Sequence, residues 1–302
     1  MTTKGFKTFA VVGAGGKVGY ATATALREAG VPVKAILRDM TKATKLKDIG
    51  CEIAVADLLD SRSLVTAIGD AEVVQIVLPT SPQAADPARE MREMIESLVA
   101  ALESARPQRV LVVSDYGAHI THDIGMPTLF RGFEERTSQF SGCRHKIILR
   151  SAEHMQNWIR TIPAAIASGM LPTFHDPVDL PFPTISAPDV GLISAELLLR
   201  PMPEDENRID IAHAEGPRRY TAKDVGVALS ELLGREIHVQ AVPRDEWKEA
   251  FERIMAASLA ELLINANDAQ NKGGLVDVEP GAGEVFYGKT ELIDALRPLL
   301  PS

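Results

Sequence analysis

Short apolar runs alternate with helix-spaced segments through the first half of the chain. Phe6 to Val12 reads as a buried strand, and Lys17 to Ala29 has the spacing of a helix. Val31 to Leu37, Cys51 to Ala56, Val73 to Leu78 and Arg109 to Ser114 read as four further strands. Helices are expected over Thr41 to Leu46, Ser61 to Ile68 and about Asp86 to Ser104. In the last of these, the REMREM run from Arg89 to Met94 exposes its charges on one face. Apolar strands alternating with helices predict βαβ units, an α/β fold with a doubly wound parallel sheet covered on both faces.

The rhythm changes after Ser114. YGAHITHDIGMPTLF reads as a loop rich in Gly and His, followed by a helix and a strand from Lys146 to Leu149. Prolines cluster between Pro172 and Pro188, which predicts irregular surface chain. A helix over Pro188 to Leu199, a strand over Arg208 to Ala212 and a helix over Thr221 to Leu233 follow. Thr221 is the expected N-cap of that helix, with Asp224 three residues on and Gly234 as its stop. The tail is helical from Asp245 to Ala266, loses pattern, and turns helical again over Thr290 to Leu296.

Composition narrows the class. The 302 residues are 45% hydrophobic and 24% charged, with a mean hydropathy of +0.01, as expected for a globular chain with a large core. Cys51 and Cys143 are far apart, so a disulfide framework is excluded and a reducing, cytoplasmic setting is expected. The N-terminal apolar run leads into glycines rather than a cleavage site, and no segment is apolar for long enough to span a membrane. A net charge of −9 argues against nucleic-acid binding.

The first strand breaks into Gly13, Gly15, Gly16 and Gly19 where the first helix opens. The spacing is GxxGxxG, because Val18 occupies the last position of the stricter GxGxxG form. One glycine turns the chain, one lets backbone N–H groups approach a pyrophosphate, and one lets the helix pack on the sheet. The helix N-terminus adds partial positive charge where phosphates would sit. Dinucleotide binding is the expectation, with Lys17 and Val18 on the same turn.

The end of the second strand selects the nucleotide. It reads LRDMTKA, where Arg38 can stack on adenine and pair with a 2′-phosphate and Lys42 adds a second charge. Asp39 is the counter-argument, as a ribose ligand or a helix cap. The balance favours NADP(H) over NAD(H). Asp57, next to Leu58 after the third strand, is placed for the adenine edge or for a turn.

These pieces together resemble the NmrA-like branch of the atypical, extended short-chain dehydrogenases/reductases, which includes NAD(P)H:quinone oxidoreductases and redox-sensing regulators. The resemblance is carried by VVGAGGKVG (Val11 to Gly19), LRDMTKA (Leu37 to Ala43), VADLLD (Val55 to Asp60) and VLVVSDYGA (Val110 to Ala118). It continues through ILRSAEHMQNW (Ile148 to Trp158), ISAPDVG (Ile185 to Gly191) and YTAKDVGVALSELLGREIHVQAVPRDEW, and fades beyond Asn267. It implies a Rossmann-type domain over 1–152 and a smaller C-terminal α/β substrate domain over 153–302, with about 184–215 returning to the sheet. Gly13, Gly16 and Gly19 would hold the pyrophosphate, Arg38 and Lys42 the ribose phosphate. Pro79 and Thr80 would line the nicotinamide-ribose side, as would Ser114 to Gly117, and Tyr116, Gly117 and Asn157 would face the substrate; His154 and His175 are expected near the same cleft.

The chain departs from the family in its proton chemistry. Short-chain reductases use a Tyr-x-x-x-Lys pair, but Tyr116 is followed by Ile120 at the lysine position. Arg131 stands where related chains keep a lysine, and Ser151-Ala152 replaces a Pro-Gly. Tyr116, His122 and Arg131 are therefore the catalytic candidates, with quinones or similar small carbonyls as acceptors that ask little of the protein. The HxxHD run of His119, His122 and Asp123 has too few convergent ligands for a metal. A non-catalytic NADP sensor with a protein partner is the rival reading, and a homodimer is compatible with either.

Overall fold

The computed structural model describes residues 8–80 and 84–301, so Phe6 and Lys7 of the first expected strand lie outside the described residues. Six strands come in the order expected: β1 (Phe9–Val12), β2 (Val33–Leu37), β3 (Glu52–Val55), β4 (Val73–Ile76), β5 (Arg109–Asp115) and β6 (His145–Ser151). The chain then leaves the sheet, with β7 (Glu153–His154), β8 (Met170–Thr173) and β9 (Thr184–Ile185) outside it. β10 (Arg208–Glu215) returns beside β6, β11 (His238–Ala241) pairs with β8, and β12 (Glu284–Tyr287) adds an edge strand. The result is an eight-stranded parallel sheet in the order β12-β10-β6-β5-β4-β1-β2-β3. Strand order reverses between β1 and β4, which opens a crevice at the carboxyl ends of those strands.

The first-half helices are α1 (Lys17–Glu28), α2 (Ala43–Asp48), α3 (Ser61–Ile68), α4 (Pro87–Ala105) and α5 (Met126–Gln139). They are followed by α6 (Ile162–Ser168), α7 (Ala187–Leu199), α8 (Ala222–Leu233), α9 (Trp247–Glu252), α10 (Ala257–Asn271) and α11 (Leu292–Leu296). α1 and α7 cover one face of the sheet over Val11, Leu111 and Leu149. Their backbones touch, since a Cβ on Gly191 would strike the backbone of Thr22 at 2.9 Å, and the Thr22 hydroxyl donates to the Gly191 carbonyl at 3.0 Å. α3, α4, α5 and α10 cover the other face over Val12, Ile76 and Val112.

A smaller lobe is built on Trp158, Leu171, Tyr220, Leu229 and Leu296. Its helix α8 opens on a capping box in which Thr221 and Asp224 each accept the other's backbone N–H, and it closes at Gly234 in the left-handed region. Two expectations are corrected here. The proline-rich stretch is not irregular surface chain: β8 and β9 lie in it, and Phe182 to Ala187 are buried. The tail helix is broken, because α9 ends before Arg253 and α10 starts anew at Ala257 to bring Leu259 under the sheet and Ile264 against Trp247.

Candidate active site

The turn between β1 and α1 uses each glycine differently. Gly13 has φ +82°, and a Cβ there would meet the Val77 carbonyl oxygen at 2.6 Å. Gly19 faces the Gly13 carbonyl across the helix–strand contact, leaving no room for a side chain. Gly16 is different. It is exposed, its backbone is extended, and a Cβ would find nothing closer than the Gly13 oxygen at 3.5 Å. The protein itself does not require glycine at this position. Gly16 is also the N-cap of α1, and no side chain caps that helix, so its first N–H groups stay free for an anion.

The rim beyond this turn is basic. Arg38 and Lys42 are exposed, and the Lys42 side chain lies over Gly15, whose Cβ would meet Lys42 Cδ at 2.9 Å. Asp39 faces the other way. Its carboxylate accepts the Thr41 N–H at 2.8 Å and the Thr41 hydroxyl, which hold its pKa below the usual carboxylate range. Asp57 likewise makes a turn, accepting the Leu59 N–H at 2.9 Å, while Leu58 is buried in the sheet core.

A cavity of about 600 Å³ opens at the ends of β4, β5 and β6. Val77, Leu78 and Thr80 enter it after β4, Ser114 and Asp115 at the end of β5, and Ser151 to His154 at the end of β6. The opposing wall is apolar, with Met126 and Phe130 from α5 facing Met255, Leu259 and Leu263 in and before α10. Asn157 and Arg160 close one side, 3.4 Å apart. Such a volume, apolar with a few polar groups converging at one end, suits a small organic ligand.

Behind the cavity lies a buried charge network. Ser114 donates to Glu134 Oε1 at 2.5 Å, and Arg150 holds both oxygens of Glu134 at 2.9 and 2.8 Å. The third Arg150 nitrogen reaches Glu279. On the wall, Ser151 Oγ lies 3.2 Å from His154 Nε2, and burial pulls the His154 pKa down to about 4. Glu153 lies 3.5 Å from His175.

Residues 13–139 match the family model described as NAD(P)H-binding. The chain is 26% identical across 255 residues to an NAD(P)H azoreductase of Xenophilus azovorans, covering 84% of each protein. Its fold matches the NADPH-dependent quinone oxidoreductase of Escherichia coli complexed with NADPH, with a TM-score of 0.73 at 20% identity over 96% of this chain and 99% of that one. It also matches the Citrobacter sp. triphenylmethane reductase complexed with NADP(H), with a TM-score of 0.75 at 19% identity over 97% of this chain and all of that one (100%). The expected likeness to atypical short-chain reductases therefore holds in fold and along most of the chain.

The fold gathers Thr80, Ser114 and Asn157 at the cavity, with half-buried Pro79 just outside its lining. It does not bring the three catalytic candidates there. Tyr116, just past the end of β5, is wholly buried on the α1–α7 side, its ring edge-on to His213 at 5.7 Å. Burial beside Glu215 pushes its hydroxyl pKa far above the ordinary range. His122 is exposed on the loop, and Arg131 is drawn to the Ile120 carbonyl and to Glu135 at 3.7 Å. Gly117 is in the turn below, packed on Ile124. Asp123 accepts the Gly125 N–H at 2.8 Å and so caps the start of α5. Among the described residues no three His, Cys, Asp or Glu side chains converge on a metal position.

Sequence reading placed Asp115 at the cavity only as part of the Ser114 to Gly117 stretch and His154 only as a neighbour of the cleft, and it missed Glu153 and the α10 wall. Only the register of β5 against β6, which sets Asp115 opposite Ser151, decides between neighbours.

Proposed function

We propose that the protein is an NADP(H)-dependent oxidoreductase that reduces quinones and similar flat, conjugated acceptors by hydride transfer. The observation that carries this is the cavity at the carboxyl ends of β4, β5 and β6, apolar along α5 and α10 and polar at the strand ends. A planar acceptor would stack against Phe130, Met255 and Leu259, with its polar atoms toward Ser114 and Asp115. The names of the azoreductase and quinone oxidoreductase relatives support the same acceptor class.

Gly13, Gly15, Gly16, Lys17, Val18 and Gly19 would cradle the pyrophosphate, and the vacant Cβ space at Gly16 fits that role. Arg38 and Lys42, both exposed on the rim, would take the 2′-phosphate, while Asp39 holds Thr41 through Oδ1. The nicotinamide supplies hydride when bound. In this reading residues 1–152, with about 184–215 returned to the sheet, carry the dinucleotide, and 153–302 otherwise shape the acceptor side. Both cysteines are free and buried, in keeping with a cytoplasmic setting, and no helix among the described residues is long and apolar enough to cross a membrane.

The test is calorimetry with NADPH and NADH, followed by NADPH oxidation with a panel of quinones, azo compounds and aldehydes. NADPH should bind more tightly than NADH, and quinones should accelerate its oxidation most. Tight NADPH binding with no acceptor turned over would replace the enzyme with a dinucleotide sensor.

A further inference from the structure

Asp115 ends β5 and lines the cavity between Ser114 and the Ser151–His154 turn. The charges around it are mostly of its own sign, with Glu134 on α5 and Glu153 on β7. Basic groups on the surrounding elements are engaged elsewhere. Arg150 on β6 holds Glu134 and Glu279, and Arg160 turns to Asn157. His154 on β7 is kept neutral by burial, and Lys17 on α1 bears on His154 instead. No basic side chain pairs with Asp115 among the described residues, and the Tyr116 N–H that follows it donates to the Ser151 carbonyl at 3.0 Å. Withdrawal from water first, then Glu153 and Glu134, push its pKa up to about 8. A carboxyl in that state is an acid at neutral pH, as a positioned proton donor must be.

We propose that Asp115 is the proton donor of this reductase, giving its carboxyl proton to the acceptor at the cavity floor. The assignment rests on the reductase reading above. A quinone takes two electrons and one hydrogen from NADPH as hydride and becomes a hydroquinone monoanion. The Asp115 O–H bond then breaks and its proton joins that anion, leaving a carboxylate that recovers a proton from solvent. The sum is quinone, NADPH and one proton in, hydroquinone and NADP⁺ out. Asp115 thus takes the place of the absent Tyr-x-x-x-Lys pair.

Asp115→Asn keeps the shape of the side chain but has no acidic proton. Infrared spectra of the cofactor-free protein at neutral pH should contain the carbonyl stretch of a protonated carboxyl, missing in the variant. NADPH affinity should be unchanged, and kcat with a quinone should fall roughly 10²-fold. Wild-type kcat should decline as pH rises through about 8, a limb absent from Asp115→Asn and recovered in Asp115→Glu. If Asp115→Asn does not fold, as judged by melting, Asp115→Ser takes its place in every measurement. A carboxyl band that persists in the variant overturns the proposal, as does an unchanged kcat and pH profile. Turnover by the wild type with an unaffected variant removes Asp115 alone; no turnover by the wild type with NADPH bound removes the reductase reading along with it.

Discussion

Arg150 grips Glu134 with two parallel hydrogen bonds, 2.9 Å from Nε and 2.8 Å from Nη2, behind the hydroxyl of Ser114. Both side chains are buried, so neither charge has water to fall back on. Arg150→Met should leave Glu134 with only the serine hydroxyl and cost about 3–5 kcal/mol, whereas Arg150→Met with Glu134→Leu should recover a large part of that. Urea unfolding of the two single variants and the double variant measures the coupling; additive losses would mean the pair is not coupled.

Gly16→Val should leave a folded protein and cost about 1 kcal/mol, because its Cβ meets only the Gly13 carbonyl oxygen at 3.5 Å while valine caps α1 less well than glycine. The same substitution should abolish dinucleotide binding, since backbone N–H groups can no longer approach the phosphates. Melting and calorimetry on one sample separate the two effects. Retained affinity would remove the phosphate role of this turn.

Arg38→Ala should weaken NADPH about tenfold or more and NADH little, as a charge-assisted contact is worth roughly 1.5–3 kcal/mol. The wild-type preference should also shrink as salt rises, because Arg38 and Lys42 are exposed. Equal wild-type affinities for the two nucleotides would contradict this.

Tyr116→Phe should leave turnover unchanged. The hydroxyl is buried without a hydrogen-bond partner among the described residues, so its removal should stabilise the fold by about 1 kcal/mol. A slower enzyme with an unchanged melting temperature would return Tyr116 to the chemistry.

Acid should loosen the sheet around β10, between β12 and β6. Burial first, then Arg150, lowers the His213 pKa from 6.5 to about 4. Between those values the unfolded chain binds a proton that the folded chain refuses, so stability present above 6.5 is lost as pH falls toward 4. Melting temperatures across this range should fall less steeply in His213→Gln. Parallel curves would show that other groups set the acid limb.

The sheet was legible because its strands are continuous apolar runs with glycine or turn residues at their ends, as at Val12–Gly13 and Leu37–Arg38. The glycine turn was legible for the same reason, since backbone geometry leaves a mark on residue type. The cavity wall was not. Asp115 and Tyr116 are adjacent polar residues at a strand end, and which one faces a ligand depends on β6 lying alongside and α10 arriving from more than 140 residues downstream. β12 was missed because Glu284–Tyr287 is too short to declare itself, and its partner β10 is distant in sequence.

Helix α10 supplies much of the apolar cavity wall, yet it contributes no hydrogen bond to any strand. It is seated by close packing on Gly125, at the start of α5, and by the Asn271 amide on the Phe174 carbonyl at 2.8 Å. The surface that meets the acceptor and the surface that meets the phosphates are therefore inherited separately. Under the proposed function, drift at Leu259, Leu263 or Ala266 would retune which acceptors fit while the cofactor turn is left intact, which makes this helix the natural place for new acceptor specificities to evolve.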